Sequence, residues 1–157
     1  MTDSMKKTAD QSATSQVQIL FPGDTNGFGR LFGGQLMQWI DVIAAVVARR
    51  HSNCNVTTAA VERLDFKAPA FANDTIVLDG RMTYVGRTSM EVRVNTFVEA
   101  LDGKRSLINT AYLTLVAIDA HQNPVPVPGL ELVTEQDRLL WAQGQARRQQ
   151  RKIDGID

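Results

Sequence analysis

Four groups of residues carry types and spacings that could do chemistry. Asp41 lies in a stretch read as a helix, among Met37, Gln38, Ala44, Ala45 and Ala48, with no cation three or four positions away. A carboxylate without a partner on such a face costs free energy. It is either a surface aspartate on the polar side of an amphipathic helix or a group kept for function, such as a general base. Gly33 and Gly34 open the same helix. Helix N-termini leave N–H groups unpaired and carry the positive end of the dipole. With no side chains in the way, a substrate carbonyl could approach those donors, which is how an oxyanion hole is made. Asn26 precedes Gly27 in a glycine-rich loop. There it serves the turn, or it orients a water or polarises a carbonyl. Gly86-Arg87-Thr88-Ser89 joins two extended segments. It reads as a hairpin turn with a solvated arginine, or as a phosphate cradle of backbone N–H groups, hydroxyls and a guanidinium.

Other chemistries lack their residues. Gly27-Phe28-Gly29 begins a dinucleotide fingerprint, but the third small position is Phe32. No Lys-Ser/Thr follows the glycines, so there is no P-loop. His51 and His121 lack the spacing of a helical metal site, and Cys54 is the single cysteine. We therefore expect no metal held by the protein and no disulfide. His51, Cys54 and His121 read as structural or exposed. Lys+Arg and Asp+Glu are both 17, a formal net charge of zero, which argues against a nucleic-acid-coating protein. The N-terminus has no apolar core of a secretory signal and no run is long enough to span a membrane, so the expected setting is cytoplasmic and reducing.

The elements that must position these residues come from periodicity. At 157 residues one domain is expected. Residues 1–15 are small and polar and predict a disordered N-terminus. QVQILF, residues 16–21, predicts a short strand ending at Pro22-Gly23. Residues 34–50 predict a helix with Leu36, Ile40, Ile43 and Val47 as one stripe. Lacking Lys or Glu before Arg49, that helix is expected to be buried on most sides. Val56–Phe66, Thr75–Val85, Ser89–Glu99 and Leu107–Asp119 predict long strands, two of the joints suiting antiparallel hairpins. The order β-α-β-β-β-β gives an α+β class: a curved antiparallel sheet wrapped round one buried helix, over residues 16–131. A Pro-rich exit follows, and Thr134-Glu135-Gln136-Asp137 predicts a capping box opening a C-terminal helix within 132–157. The basic end, QARRQQRK, predicts a frayed, solvated tail.

Leu20–Asp41 (LFPGDTNGFGRLFGGQLMQWID), Val61–Phe66 (VERLDF), Tyr84–Val92 (YVGRTSMEV) and Leu113–Asp119 (LTLVAID) together resemble the hotdog-fold acyl-CoA thioesterases. The nearest group is the cytosolic (brain-type) acyl-CoA hydrolases and their single-domain bacterial relatives. The resemblance covers roughly residues 17–130. It implies hydrolysis of acyl-CoA thioesters to a fatty or other carboxylic acid and CoA, with no cofactor. It implies that the family's helix aspartate falls on Asp41 and its loop asparagine on Asn26. The two would face each other across a subunit interface, in a dimer or trimer of dimers. Gly33 and Gly34 would receive the thioester carbonyl. Asp41 would act as general base or, as an alternative, as nucleophile. Gly86, Arg87, Thr88 and Ser89 would contact the CoA nucleotide and diphosphate, with Arg63 and Lys67 as further phosphate contacts. With the balanced charge and no long apolar run, we expect no nucleic-acid partner and no membrane insertion. Two rivals share the fold: a hotdog dehydratase, which would need a histidine where Asn26-Gly27-Phe28-Gly29 stands, and a non-catalytic acyl-CoA sensor.

Overall fold

The computed structural model describes residues 5–155. Strands β2 (Thr14–Ile19), β3 (Asn55–Phe66), β4 (Thr75–Val85), β5 (Ser89–Glu99) and β6 (Arg105–Ile118) form one antiparallel sheet in the order β2-β4-β5-β6-β3. Helix α2 (Gly33–Ser52) runs across the inner face of all five strands. This is the hotdog arrangement. Leu36, Ile40, Ile43 and Val47 are buried against inward-facing Ile76, Leu78, Met82, Val92, Val94, Leu113 and Leu115. Alternating apolar residues at period 2 thus meet a helix stripe at period 3.6. No helix among the described residues is long and apolar enough to cross a membrane.

The helix is buried or half-buried on most sides, as expected, and open along one stripe. Gly34, Gln38 and Val42 are exposed there, Val42 at 53%. The open face adjoins β3, one of the two edge strands, which exposes Val61, Leu64 and Phe66. A long apolar edge of this kind is a template for pairing with another chain.

The N-terminus is a correction. The first four residues lie outside the described residues, but Lys7–Thr8 form β1, paired in parallel with β7 (Leu130–Glu131), and Ala9–Ser12 form the one-turn helix α1. The reason is tertiary. Ala9 and Ser12 are buried, the Lys7 ammonium binds the Arg50 carbonyl and Asn53, and Asp10 pairs with Arg81 at 2.7 Å. His51 closes the clasp from below. It is fully buried, with Nε2 2.7 Å from the Pro128 carbonyl, and burial lowers its pKa.

Helix α3 (Glu135–Ile153) starts at the expected capping box. The Thr134 hydroxyl accepts the Asp137 N–H at 3.0 Å, and the Asp137 carboxylate accepts the Thr134 and Val133 N–H groups. Its basic end does not fray. The helix lies on the outer face of the sheet, where Trp141 packs against Tyr84 with ring centroids 4.4 Å apart and the ring planes tilted by 50°. Gly144 lets the helix approach: a Cβ there would meet Tyr84 Cβ at 2.7 Å. Arg147 grips the buried Glu91 through two hydrogen bonds of 2.8 Å and sits 3.7 Å over the Tyr112 ring. Arg151 is buried and reaches Glu62 at 3.3 Å.

Candidate active site

Between β2 and α2 the chain makes a short 3-10 turn (Pro22–Asp24) and a tight loop. Asn26 Oδ1 accepts the N–H groups of Phe28 (2.9 Å) and Arg30 (3.2 Å), and the Asn26 N–H donates to the Arg30 carbonyl at 2.7 Å. Asn26 therefore shapes the loop through its side chain and not through a left-handed backbone, which falls to Gly29 at φ +75°. Its amide nitrogen has no acceptor among the described residues and its side chain is exposed.

The loop delivers Phe32 to the N-cap of α2, where no side chain caps the helix. The N–H groups of Gln35 and Leu36 both turn to the Phe32 carbonyl. Those of Gly33 and Gly34 donate to nothing among the described residues, and Gly34 is exposed. Two bare amides at the positive end of a 20-residue helix are the donors an oxyanion requires. A cleft of about 400 Å³ opens there, lined by Asn26, Arg30, Leu31, Gly33 and the segment 66–70. Asn26, Gly33 and Lys67, expected from sequence, thus share one cleft. Arg30 and Phe66 join it without having been singled out.

Asp41 is elsewhere. It lies seven residues beyond Gly34 on the same helix face, roughly 10 Å along the axis. It is half-buried, and its Oδ1 accepts the Thr58 hydroxyl at 2.7 Å. Thr58, on the opposite end of β3 from Phe66, is the partner that sequence reasoning missed. Nothing local marks it, since the pair is 17 residues apart. Within one chain the carboxylate and the cleft do not meet.

The Gly86–Ser89 turn lies at the Asp41 end of the sheet. Ser89 pairs with Val116, which pairs with Thr57, two strands or roughly 10 Å away. The carbonyls of Arg87 and Thr88 accept from Val127 and Ala117, and the Gly86 N–H donates to the Ser89 carbonyl. The N–H groups of Arg87 and Thr88 have no acceptor among the described residues, and the Arg87 side chain is exposed. Arg63 joins neither cluster. It sits exposed at φ +59° where the register of β3 shifts between Glu62 and Asp65. Among the described residues no three of His, Cys, Asp and Glu are grouped as metal ligands would be.

Comparison with known proteins places this geometry in a family. The family model of the thioesterase superfamily matches residues 28–101. YkhA, an uncharacterized acyl-CoA thioester hydrolase of Bacillus subtilis, is 39% identical over 143 residues, covering 90% of this chain and 83% of that protein. The chain belongs to the acyl-CoA thioester hydrolases of the thioesterase superfamily. A crystal structure of an apo-hexameric acyl-CoA thioesterase superposes with a TM-score of 0.91 at 39% identity, over 96% of this chain and 97% of that one. The acyl-CoA hydrolase of Staphylococcus aureus, solved with butyryl coenzyme A, coenzyme A and coenzyme A disulfide, gives 0.91 at 32% identity, over 96% and 93%. Variants of that enzyme were solved with alanine in place of an asparagine, an aspartate and a threonine. Those three positions are spaced fifteen and seventeen residues apart, as are Asn26, Asp41 and Thr58 here.

Proposed function

We propose that this protein hydrolyses acyl-CoA thioesters at a site shared between two chains. The observation that carries the reading is the separation along β3. The Asp41–Thr58 pair stands at one end of the open edge strand, and the cleft with the bare Gly33 and Gly34 amides stands at the other. Antiparallel pairing of β3 with β3 of a second copy reverses one strand against the other. The carboxylate end of each chain then meets the cleft end of its partner, under a continuous sheet that covers Val61, Leu64 and Phe66. Two identical sites result. The hexameric thioesterase among the solved relatives supports assembly beyond the dimer.

In such a site the thioester carbonyl points its oxygen at the partner's Gly34 N–H, with the partner's Gly33 beside it. Asp41, oriented by the Thr58 hydroxyl, accepts a proton from water as the water oxygen attacks the carbonyl carbon. The partner's Asn26 amide, free at its nitrogen, orients that water or the thioester. The tetrahedral oxyanion is held by the helix amides. It collapses with cleavage of the carbon–sulfur bond, and the proton taken up by Asp41 passes to the departing sulfur, giving the carboxylic acid and the CoA thiol. The nucleotide end of CoA rests on the Gly86–Ser89 turn, where the Arg87 and Thr88 N–H groups and the Thr88 and Ser89 hydroxyls meet its phosphates. Lys67, in the cleft, offers a further cation. The edge position of Arg63 gives it no part in this scheme. A thioester is already activated, so the reaction as proposed draws on no cofactor.

The test is free-thiol release from a chain-length panel of acyl-CoAs, with wild type beside Asp41→Asn. Saturable turnover that falls by about 10²–10⁴ in a folded variant supports the reading. Binding of acyl-CoA without thiol release would make the protein a sensor. Turnover that survives the substitution would remove Asp41 from the role of base.

A further inference from the structure

The scheme above leaves the C-terminal basic run unused. Two of its arginines are spoken for. Arg147 holds Glu91 and covers Tyr112, and Arg151, one turn on, is buried and reaches Glu62. Together they clamp one face of α3 to the sheet. Arg148 stands beside them, half-buried, and no acceptor or acid among the described residues takes its guanidinium. It extends instead over the Gly86–Ser89 turn. A Cβ on Gly86 would lie 3.1 Å from Arg148 Nη1 and 2.9 Å from Ser89 Oγ. The guanidinium and the Ser89 hydroxyl therefore share the space a side chain at position 86 would fill. Next to them are the unengaged N–H groups of Arg87 and Thr88. Guanidinium, hydroxyl and backbone amides converge from two elements far apart in sequence.

We propose that Arg148 is a specificity residue for the thiol carrier, binding a phosphate of CoA seated on the Gly86–Ser89 turn. The inference rests on the reading of that turn as the seat of the CoA nucleotide. A planar guanidinium matches a phosphate through two parallel N–H···O bonds, more closely than an ammonium does. The clamp at Arg147 and Arg151 holds the helix in place before substrate arrives, so little further ordering is needed on binding. The 3′-phosphate and the diphosphate offer the same chemistry. A pantetheine thioester offers neither, and Arg148 has nothing on it to hold.

The experiment is steady-state kinetics of wild type, Arg148→Ala and Arg148→Lys on butyryl-CoA, butyryl-3′-dephospho-CoA and butyryl-pantetheine. Arg148→Ala raises KM for butyryl-CoA roughly tenfold, the size of one charge-assisted hydrogen bond. The kcat stays unchanged, and Arg148→Lys falls between. KM for the pantetheine thioester does not move, as it would if the substitution merely loosened α3. A rise that vanishes on the dephospho substrate puts the guanidinium on the 3′-phosphate; one that persists puts it on the diphosphate. An unchanged KM for butyryl-CoA, or an equal rise on butyryl-pantetheine, overturns the inference. Calorimetric binding of free CoA to the same proteins separates the two readings. Wild type that releases no thiol would end the thioesterase reading, yet a tenfold loss of CoA affinity in Arg148→Ala would still uphold this one. Unchanged affinity would overturn it.

Discussion

Replacing Arg147 with alanine should destabilise the fold far more than loss of a surface arginine does. The Glu91 side chain is 3% exposed and the Arg147 side chain 18%. Arg147 donates to both Glu91 oxygens at 2.8 Å, and the Thr83 hydroxyl donates to one of them at 2.6 Å. Burial works against the charge on Arg147, but the hydrogen bond and charge of Glu91 outweigh it and raise its pKa. Arg147→Ala leaves a buried carboxylate with only the threonine hydroxyl. Breaking a buried pair by removing one partner costs roughly 3–5 kcal/mol. At about 2–4 °C per kcal/mol for a chain of this size, the midpoint should fall by ~10 °C. The double variant Glu91→Gln with Arg147→Met removes both charges and keeps much of the volume, so it should recover most of that loss. Thermal unfolding by circular dichroism, at one fixed protein concentration, reads both. A midpoint within about 2 °C of wild type for Arg147→Ala would show that Glu91 is not desolvated as argued. A double variant no more stable than the single one would refute the coupling.

Thr58→Val should lower kcat about tenfold with little change in KM, because it removes the hydroxyl that orients Asp41 and leaves the binding surfaces alone; Thr58→Ser should restore most of the rate, and equal rates in all three would contradict a positioning role. Leu64→Lys, on the exposed edge of β3, should yield smaller assemblies by light scattering and lose activity in parallel, whereas an active monomer would argue against the shared site. Stability should fall on acidification in two windows. Burial lowers the pKa of His51 below 6.5, so its contribution is complete above that value and is lost as pH falls through it. For Asp137, burial opposes ionisation, but the hydrogen bonds from Arg81, Val133 and Thr134 prevail and hold its pKa below 3.8. Its contribution is therefore complete above 3.8 and lost below. Denaturant midpoints across pH 3–8 check both, with His51→Phe expected to flatten the upper window.

The elements legible in the sequence were those whose signal is local. Met90, Val92 and Val94 alternate with Glu91, Arg93 and Asn95, and β5 runs over Ser89–Glu99 as that pattern predicts. Leu36, Ile40, Ile43 and Val47 repeat at helical spacing and are buried as a stripe. Thr134 and Asp137 are three residues apart and form the capping box. What escaped depends on residues brought together from far along the chain. The segment Lys7–Ser12 is polar and short, and it is ordered only by its pairing with Leu130–Glu131 and by the Asp10–Arg81 bridge. The basic tail reads as solvated because Glu91 is 56 residues from Arg147 and Glu62 is 89 from Arg151. At the candidate site, Asn26, Gly33 and Asp41 stood out by type and context, but Thr58 is one threonine in a strand rich in β-branched residues. The one open stripe of α2 is not legible in the sequence, because a small, uncharged helix surface reads the same whether its own chain or a second copy covers it.

The shared site can be tested by mixing two dead variants, Asp41→Asn and Asn26→Ala, after dissociation and reassembly. If Asp41 of one chain works with Asn26 of its partner, each mixed dimer contains one fully wild-type site and one doubly altered site. Random reassembly of equal amounts should then restore about a quarter of wild-type thiol release, while either variant reassembled alone stays inactive. No recovery in the mixture, with mixed dimers shown to form, would place both residues in a single chain's site and contradict the arrangement proposed here.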